Sequence, residues 1–307
     1  MVLGCAIAVA SLTTARSSAA YCRTAVCTNS TNQKVAGTLC TPADPLDCGL
    51  PLAWPGRCIG YGIDAQGSSQ IAFATIESAV ETAFSAWQEA NCAGETPGIR
   101  AEYQGPVDCS SVQYNQVGGN ANVITFRDDV WPHDNTGNTL GLTTVTYNLD
   151  SGQIYDADME INSTASVKLS TGNDEVEYDL LSILTHEAGH FLGLAHSPLA
   201  PATMYAEYIP GDTHLRDLDP DDLAGICAIY PANPGGVCDA TPRHGFDESC
   251  FGAQDEGCTC ALVGQNEAPG DSRSPLGWLL LSALAIIQRR RSGAARTATA
   301  PALKHHA

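Results

Sequence analysis

Hydrophobic periodicity predicts three helices in this chain. An apolar stripe at helical spacing predicts an amphipathic helix in the first half of the chain, and it runs through Ile76, Val80, Ala83, Phe84 and Trp87. A second apolar run, residues 180–185, follows Asp179, a residue type suited to cap a helix. A third helix is expected over residues 219–230, because Pro220 fits the first helical turn.

Alternating apolar and polar positions predict strands before and between these helices. The clearest are residues 140–148, which are rich in β-branched side chains, and residues 154–162. Shorter strands are expected over 57–64, 99–103 and 122–127. Residues 21–50 are rich in Thr, Asn, Cys and Pro, so we expect an irregular segment held by disulfides there.

Composition narrows the class of protein. The 307 residues allow one or two domains, and a formal net charge of −19 argues against nucleic acid as a partner. Thirteen cysteines indicate an oxidising compartment. The apolar run from Val2 to Leu12, followed by Ser18-Ala19-Ala20, predicts a secretory signal peptide over residues 1–20. Of the twelve cysteines that then remain, eight precede residue 235 and four follow it, so each part could form its own disulfides.

The candidate chemistry lies in one run, His186-Glu187-Ala188-Gly189-His190-Phe191-Leu192-Gly193-Leu194-Ala195-His196. Helical residues four apart lie about 40° from each other, so His186 and His190 can bind one metal ion from the same face. Gly193 can leave the helix with a positive φ, which lets His196 return as a third ligand. Three imidazoles with one open position are typical of a catalytic zinc, and Glu187 stands beside the first ligand as a general base.

This motif, with Met204 eight residues after the last histidine, resembles the metzincin zinc metalloproteases, and His196-Ser197 with Met204-Tyr205 resembles their matrixin branch. The likeness extends from about residue 50 to 231. It implies an α+β catalytic domain in which a twisted mixed sheet packs on a backing helix and an active-site helix. It also implies zinc in the cleft, a turn at Met204 beneath the metal and a C-terminal helix after that turn.

The same resemblance implies how a substrate is bound. Residues 140–148 correspond to the edge strand above the matrixin cleft, where an extended peptide pairs antiparallel, so Leu142 and Thr143 are expected to contact it. Tyr208 matches the tyrosine of the outer S1′ pocket wall, whereas Ala206 stands where matrixins have proline.

Cys48-Gly49-Leu50-Pro51 is similar to the core of the matrixin cysteine switch, in which a pro-segment thiolate occupies the open zinc position. Asp47 and Leu52 depart from that pattern. A disulfide is therefore the preferred interpretation of Cys48, and the switch is the alternative.

Three acidic side chains, Asp156, Asp158 and Glu160, alternate along the second clear strand and would share one face of it. Three carboxylates so close repel one another unless water or a cation separates them. Matrixins bind calcium from an acidic segment at this place. Two interpretations stay open: a calcium site, or a solvated acidic face.

The C-terminal part changes in composition after residue 231. An apolar run, residues 276–287, precedes Arg289-Arg290-Arg291 and is shorter than the about 20 residues that span a membrane. With Cys258-Thr259-Cys260 upstream, the three features resemble the myxobacterial C-terminal sorting signal, which implies export, processing and surface display. The alternative is a short amphipathic or buried tail helix.

The predicted organisation has six parts. They are a signal peptide (1–20), a disulfide-held segment (21–50), a matrixin-like catalytic domain (51–232), a linker or stalk (233–271), a hydrophobic segment with an arginine cluster (272–291) and a disordered tail (292–307).

Together these features imply a zinc-dependent endopeptidase that hydrolyses peptide bonds of extracellular proteins, with Zn²⁺ and a possible second cofactor, Ca²⁺. The expected partners are protein or peptide substrates, with membrane contact only through the C-terminal segment, and the expected state is a monomer. We expect an exported protein attached at the cell surface or outer membrane, or released from it. The alternative is a zinc-containing surface binding or adhesion module without activity, against which the presence of Glu187 counts.

Overall fold

The computed structural model describes residues 20–29, 31–41, 48–133, 139–232, 237–249 and the backbone of 302–306, and this part of the chain forms twelve strands and three α-helices. The strands are β1 (Cys22–Thr28), β2 (Lys34–Cys40), β3 (Cys48–Pro51), β4 (Cys58–Asp64), β5 (Arg100–Val107), β6 (Val123–Arg127), β7 (Gly141–Tyr147), β8 (Ile154–Asn162), β9 (Leu169–Ser170), β10 (Tyr178–Asp179), β11 (Leu194–Ala195) and β12 (Ala302–His306). The helices are α1 (Phe73–Gln88), α2 (Leu180–Phe191) and α3 (Pro220–Ile229), with a 3₁₀ turn at His214–Arg216.

The main sheet has six strands in the order β12-β7-β8-β6-β4-β5. Strands β5, β4, β6 and β8 pair parallel, whereas β7 pairs antiparallel with β8, and β12 pairs antiparallel with β7. The predicted α+β class with a mixed sheet is therefore confirmed. The strands predicted over 57–64, 99–103, 122–127, 140–148 and 154–162 correspond to β4 to β8.

Helix α1 packs against α2 through the predicted apolar stripe, whose members are all buried: Ile76, Val80, Ala83, Phe84 and Trp87. The Trp87 indole donates a hydrogen bond of 2.8 Å to the Thr185 carbonyl oxygen, and the Phe84 and Phe191 rings meet edge to face with centroids 5.1 Å apart. These contacts fix α2, which carries the histidine motif, against a rigid support.

The N-terminal segment is a small sheet, so the expectation of an irregular segment over residues 21–50 is wrong. Strand β1 pairs antiparallel with β2, β3 and β11. Cys22 lies opposite Cys40 and Cys27 lies opposite Cys48, and each pair forms a disulfide. The polar composition hid these strands, because cross-strand disulfides and pairing with β11 stabilise them more than their own propensity does. Cys48 is disulfide-bonded as preferred.

Helix α3 begins with a capping box at Asp219 and has Pro220 in its first turn, as expected. Its two following acidic residues are buried and accept specific hydrogen bonds. Asp221 accepts from the Ala20 amide and the Ser197 hydroxyl, both at 2.6 Å. These two carboxylates therefore join the start of α3 to neighbouring segments of the chain.

Residues 237–249 pack on the main sheet, although the sequence placed them in a linker or stalk. A disulfide joins Cys238 to Cys58 at the start of β4. The Asp108 amide donates to the Glu248 carbonyl oxygen at 2.7 Å, and the Asn120 amide donates to the Gly245 carbonyl oxygen at 2.9 Å. The expectation that the early and late cysteines form separate sets is wrong, because this bridge crosses residue 235.

Strand β12 falls in the predicted disordered tail, residues 292–307, so that expectation fails for this segment. The unpaired backbone groups of an edge strand such as β7 can bind an extended segment of almost any sequence. The hydrophobic segment and the Cys258-Thr259-Cys260 part of the sorting-signal prediction lie outside the described residues, as does the signal peptide up to residue 19. Within the described residues, no helix is both apolar enough and long enough to cross a bilayer.

Candidate metal centre

Helix α2 places the first two histidines, and a tight turn places the third. Asp179 caps the helix as predicted, since its carboxylate accepts from the Ser182 amide at 2.9 Å. Gly193 follows the helix with a φ of 96°, and a β-carbon at that position would lie 2.9 Å from the Leu52 carbonyl oxygen. A residue with a side chain would meet both a strained backbone and a steric overlap there. Glycine therefore allows the return of His196.

The three histidines converge on one point. The Nε2 atom of His196 lies 3.1 Å from that of His190 and 3.2 Å from that of His186. Nitrogen ligands about 2.0–2.1 Å from a tetrahedral zinc lie roughly 3.3 Å from one another. The donor set and its spacing therefore fit zinc.

Hydrogen bonds at the Nδ1 atoms of two of these imidazole rings fix the tautomer of each ring. Nδ1 of His186 lies 2.6 Å from the Thr203 carbonyl oxygen, and Nδ1 of His190 lies 3.0 Å from the Leu194 carbonyl oxygen. A carbonyl oxygen only accepts, so each Nδ1 carries the proton and each Nε2 presents its lone pair. Such outer hydrogen bonds orient metal-binding histidines.

A second group of possible ligand atoms in the described residues, Cys58, Glu102 and Cys238, has a different character. Its two cysteines form a disulfide with each other, so they offer no thiolate to a metal. The histidine cluster is the better supported metal site.

Glu187 is fully buried beside the histidines. The Thr143 hydroxyl donates a hydrogen bond of 2.6 Å to its Oε2 atom, while Oε1 has no hydrogen-bond partner in the described part of the chain. Burial raises the pKa of Glu187 to about 8, and the hydrogen bonds from Thr143 oppose that shift. A metal cation on the neighbouring histidines would lower the pKa of this carboxyl, because opposite charge favours the ionised form.

Met204 lies beneath α2, where the turn below the metal was predicted. A β-carbon on Gly189, between the two helical histidines, would overlap the Met204 sulfur. The backbone of this turn is held on both sides, since the Met204 carbonyl oxygen accepts from the Ser197 amide at 2.8 Å. Asp222 accepts from the Thr203 amide at 2.7 Å and from the Met204 amide at 3.1 Å.

The residues predicted to contact substrate have different positions. Leu142 and Thr143 are both fully buried in β7, and the Thr143 side chain faces Glu187. Tyr208 is half-buried; its hydroxyl accepts from the Asp179 amide at 2.9 Å and donates to the Asp212 carbonyl oxygen at 2.6 Å. A small pocket beside His186 is lined by this tyrosine together with Leu140, Ile183, Tyr205, Ala206, Glu207 and Leu215.

The acidic strand β8 is buried, so a solvated acidic face is wrong: Asp156, Asp158 and Glu160 are each no more than 2% exposed. Glu160 pairs with Arg127 and with His133, each at 2.7 Å. Asp158 accepts from the Val123 amide at 2.7 Å and the Gln113 amide at 2.9 Å.

Asp156 and Asp158 form a close pair in which burial and mutual repulsion raise the pKa of Asp156, while burial raises the pKa of Asp158 to about 7. Two carboxyls in this state share a proton rather than carry two charges. Since Glu160 has other partners, the three carboxylates do not surround one common point among the described residues. Calcium at this strand stays a prediction.

Sequence reasoning missed three features of the site: the hydrogen bond from Thr143 to Glu187, the space that Gly141 leaves beside that glutamate, and the support of the Met204 turn by Asp222. Each joins segments far apart in the chain, and local periodicity does not predict such contacts. The acidic pair at the start of α3 was the available signal for Asp222.

The fold and the site together define a class of protein in which a mixed sheet and two packed helices carry three converging histidines suited to bind a metal, with a buried glutamate beside them. The chain belongs to the matrixin family: the model of that family, peptidase family M10, matches residues 53–231.

Named relatives agree with this assignment. The chain is 31% identical over 160 residues to metalloendoproteinase 1 of Glycine max, which covers 52% of this chain and 47% of the relative. It is 29% identical over 213 residues to neutrophil collagenase of Homo sapiens, and the match covers 67% of this chain and 38% of the relative. It is 48% identical over 63 residues to metalloendoproteinase 1-MMP of Arabidopsis thaliana, and the match covers 20% of this chain and 17% of the relative. The chain thus spans less than half the length of each of these relatives.

Proposed function

We propose that the chain is a zinc-dependent endopeptidase. The observation that carries this proposal is the position of Glu187, whose Oε1 atom has no hydrogen-bond partner among the described residues and lies in a buried site beside three convergent imidazoles. His186, His190 and His196 would hold zinc, which supplies Lewis acidity and lowers the pKa of a bound water to about 7.

Glu187 moves the proton. Its carboxylate accepts a proton from the attacking water and then donates it to the amine that leaves when the peptide bond breaks. The buried surroundings strengthen these electrostatic interactions because little water screens them. Met204 takes no part in proton transfer and supports the helix that carries the histidines.

The backbone edge of β7 that pairs with β12 is the proposed binding edge for substrate. An extended peptide pairing antiparallel with β7 would align its scissile bond by main-chain hydrogen bonds, and it would take the place that β12 holds. The pocket beside His186 has several apolar side chains in its lining, including Leu140, Ile183 and Leu215, so it favours a small or apolar substrate side chain.

The disulfides indicate an exported protein, and extracellular proteins are the proposed substrates. Attachment at the cell surface or outer membrane, a monomeric state and calcium on β8 belong to the same proposal. A binding or adhesion module without activity is less favoured, because a site that only binds needs no buried base beside its metal ligands.

Cleavage of an unfolded protein by the purified, zinc-loaded chain tests the function. We expect cleavage that a chelator stops and zinc restores. Glu187→Gln should retain about one zinc per chain and lower kcat/KM by about 100- to 10,000-fold, the range of a general acid–base group. Glu81→Gln, an exposed change on α1, is the matched control and should cleave normally. Full activity of Glu187→Gln would refute the mechanism, and a zinc-loaded chain that cleaves nothing would favour the binding module.

A further inference from the structure

Two residues on one face of β7 contact the Glu187 side chain. Gly141 and Thr143 are two positions apart, so they face the same side of the strand. The Thr143 hydroxyl donates to Glu187 Oε2 at 2.6 Å and also lies 3.2 Å from the Glu187 carbonyl oxygen. A β-carbon on Gly141 would lie 2.6 Å from Oε1 and 2.8 Å from Cγ of the same glutamate.

We propose that Gly141 and Thr143 are positioning residues that set the conformation of Glu187 for proton transfer. Thr143 holds Oε2, and Gly141 leaves the space that Oε1 and the side-chain stem occupy. This inference rests on the proposed function, in which Glu187 is the general base. We refer to Gly141 and Thr143 together as the glutamate seat.

The glutamate seat gives the two carboxylate oxygens different roles. Oε2 is occupied by the threonine hydroxyl, whereas Oε1 is buried without a hydrogen-bond partner in the described residues. A glutamate side chain has three rotatable bonds, and a general base must lie within hydrogen-bond reach of the proton it takes. Holding one oxygen therefore leaves the other in one place as the acceptor.

Glycine is suited to position 141 because a side chain would not fit there, and not because the backbone requires a positive φ. Gly141 is not among the described glycines with a positive φ, so an L-residue could adopt its backbone angles. The close approach of a β-carbon to three atoms of Glu187 is the cost of adding a side chain. Alanine at this position would push the carboxylate while leaving the strand intact.

The seat also couples substrate alignment to catalysis. Strand β7 is the proposed edge for the substrate backbone, and its inward-facing residues hold the base. One strand would therefore fix the distance between the scissile bond and the carboxylate. Misplacement by about 1 Å can cost roughly 100-fold in rate.

Three variants test the positioning role. Thr143→Val removes the donor at nearly constant volume, Thr143→Ser keeps the donor, and Gly141→Ala fills the space. We expect Thr143→Val and Gly141→Ala to lower kcat about 10- to 100-fold with KM within about twofold and zinc content unchanged. Thr143→Ser should keep kcat within about threefold of the parent chain, because its hydroxyl reaches the same oxygen.

Thr125→Val is the matched control. Thr125 on β6 is also fully buried and donates to a buried carboxylate, Asp64 Oδ2, at 3.0 Å. Its loss should lower resistance to urea without changing the kcat of the folded enzyme. A purely structural role for Thr143 predicts the same behaviour, with stability reduced and kcat retained.

Retention of kcat within twofold in both Thr143→Val and Gly141→Ala would overturn the proposal. If Thr143→Val does not fold, Gly141→Ala and the comparison of serine with the parent residue still decide it. Glu187→Gln, measured in parallel, distinguishes a failure of the proposed function from a failure of the positioning role. An active Glu187→Gln refutes the proposed function itself, whereas an inactive Glu187→Gln with fully active seat variants refutes only the positioning role.

Discussion

Gly189 lies between the two helical histidines, and replacing it with alanine should destabilise the protein. In an ordinary helix this change stabilises, because alanine is favoured over glycine by about 1 kcal/mol. Here the new β-carbon would overlap the Met204 sulfur and lie 2.8 Å from Cζ2 of Trp87. The indole is fixed by its 2.8 Å hydrogen bond to the Thr185 carbonyl oxygen, so the methionine has to move.

The magnitude follows from two opposing terms. Adding a methyl group to a filled core costs about 1–3 kcal/mol. Met204 is flexible, but it is 1% exposed and its backbone is held by Ser197 and Asp222, so it has little room to adjust. Subtracting the gain in helix propensity leaves a net loss of about 0–2 kcal/mol. The expected sign is therefore opposite to that of a typical helical Gly→Ala change.

Urea unfolding of four chains measures this directly: the parent, Gly189→Ala, Met204→Ala and the double variant. A chelator is present throughout, so that differences in zinc binding do not enter. In the Met204→Ala background the overlap with the sulfur is gone and only the close approach to Trp87 remains, so Gly189→Ala should destabilise less than it does in the parent chain. An effect of equal size in both backgrounds would show that Met204 does not pack against Gly189, and the structural reasoning would be wrong.

Three further outcomes are expected. The folded-state pKa of Asp158, about 7, lies above its ordinary value of 3.8, so its contribution to stability is full below about pH 4 and is lost as pH rises through 7. Asp156→Asn removes the neighbouring carboxyl, whose pKa is raised by burial and by the charge of Asp158, and should reduce this pH-dependent loss by about 1–2 kcal/mol in urea unfolding between pH 5 and 8, since one pKa unit is about 1.4 kcal/mol. Stabilisation of the parent by calcium, absent in Asp156→Asn, would instead reveal a cation site. Chelation of zinc should abolish cleavage and lower the urea midpoint, and zinc should restore both; an unchanged midpoint would argue against metal at the histidines. Deleting residues 302–307 should raise kcat/KM several-fold by freeing the edge of β7, and unchanged kinetics would show that β12 does not compete with substrate.

The features that the sequence predicted well depend on local periodicity. The stripe of α1 reflects one side of the helix facing the core, and the alternation of β8 separates apolar from acidic side chains on the two faces of the strand; each element keeps its period wherever it packs. The spacing of the histidines acts in the same way, because the helix itself brings His186 and His190 to one face. The N-cap at Asp179 is local as well.

The features that the sequence did not predict depend on contacts between distant segments. The sequence left the acidic residues of β8 open as a calcium site or a solvated face, because nothing near Asp156 reveals that the amides of Gln113 and Val123 reach Asp158. The N-terminal strands have little strand propensity and are held by disulfides and by β11. Similarly, the sequence shows Thr143 only as a residue of a strand, and its contact with Glu187 becomes evident only when α2 is packed against β7.

In the sequence, the disulfide Cys58–Cys238 encloses a second disulfide, Cys92–Cys227. This arrangement affects how well the protein tolerates cleavage by proteases. Between the inner pair lie solvent-facing stretches, such as those around Val117 and Ile209, that an attacking enzyme can reach. A single cut there leaves two fragments that stay covalently joined by at least these two bridges. Such a clipped molecule would run intact on a non-reducing gel and fall into pieces only after reduction, so accumulated damage need not release the histidine-bearing helix from its neighbours.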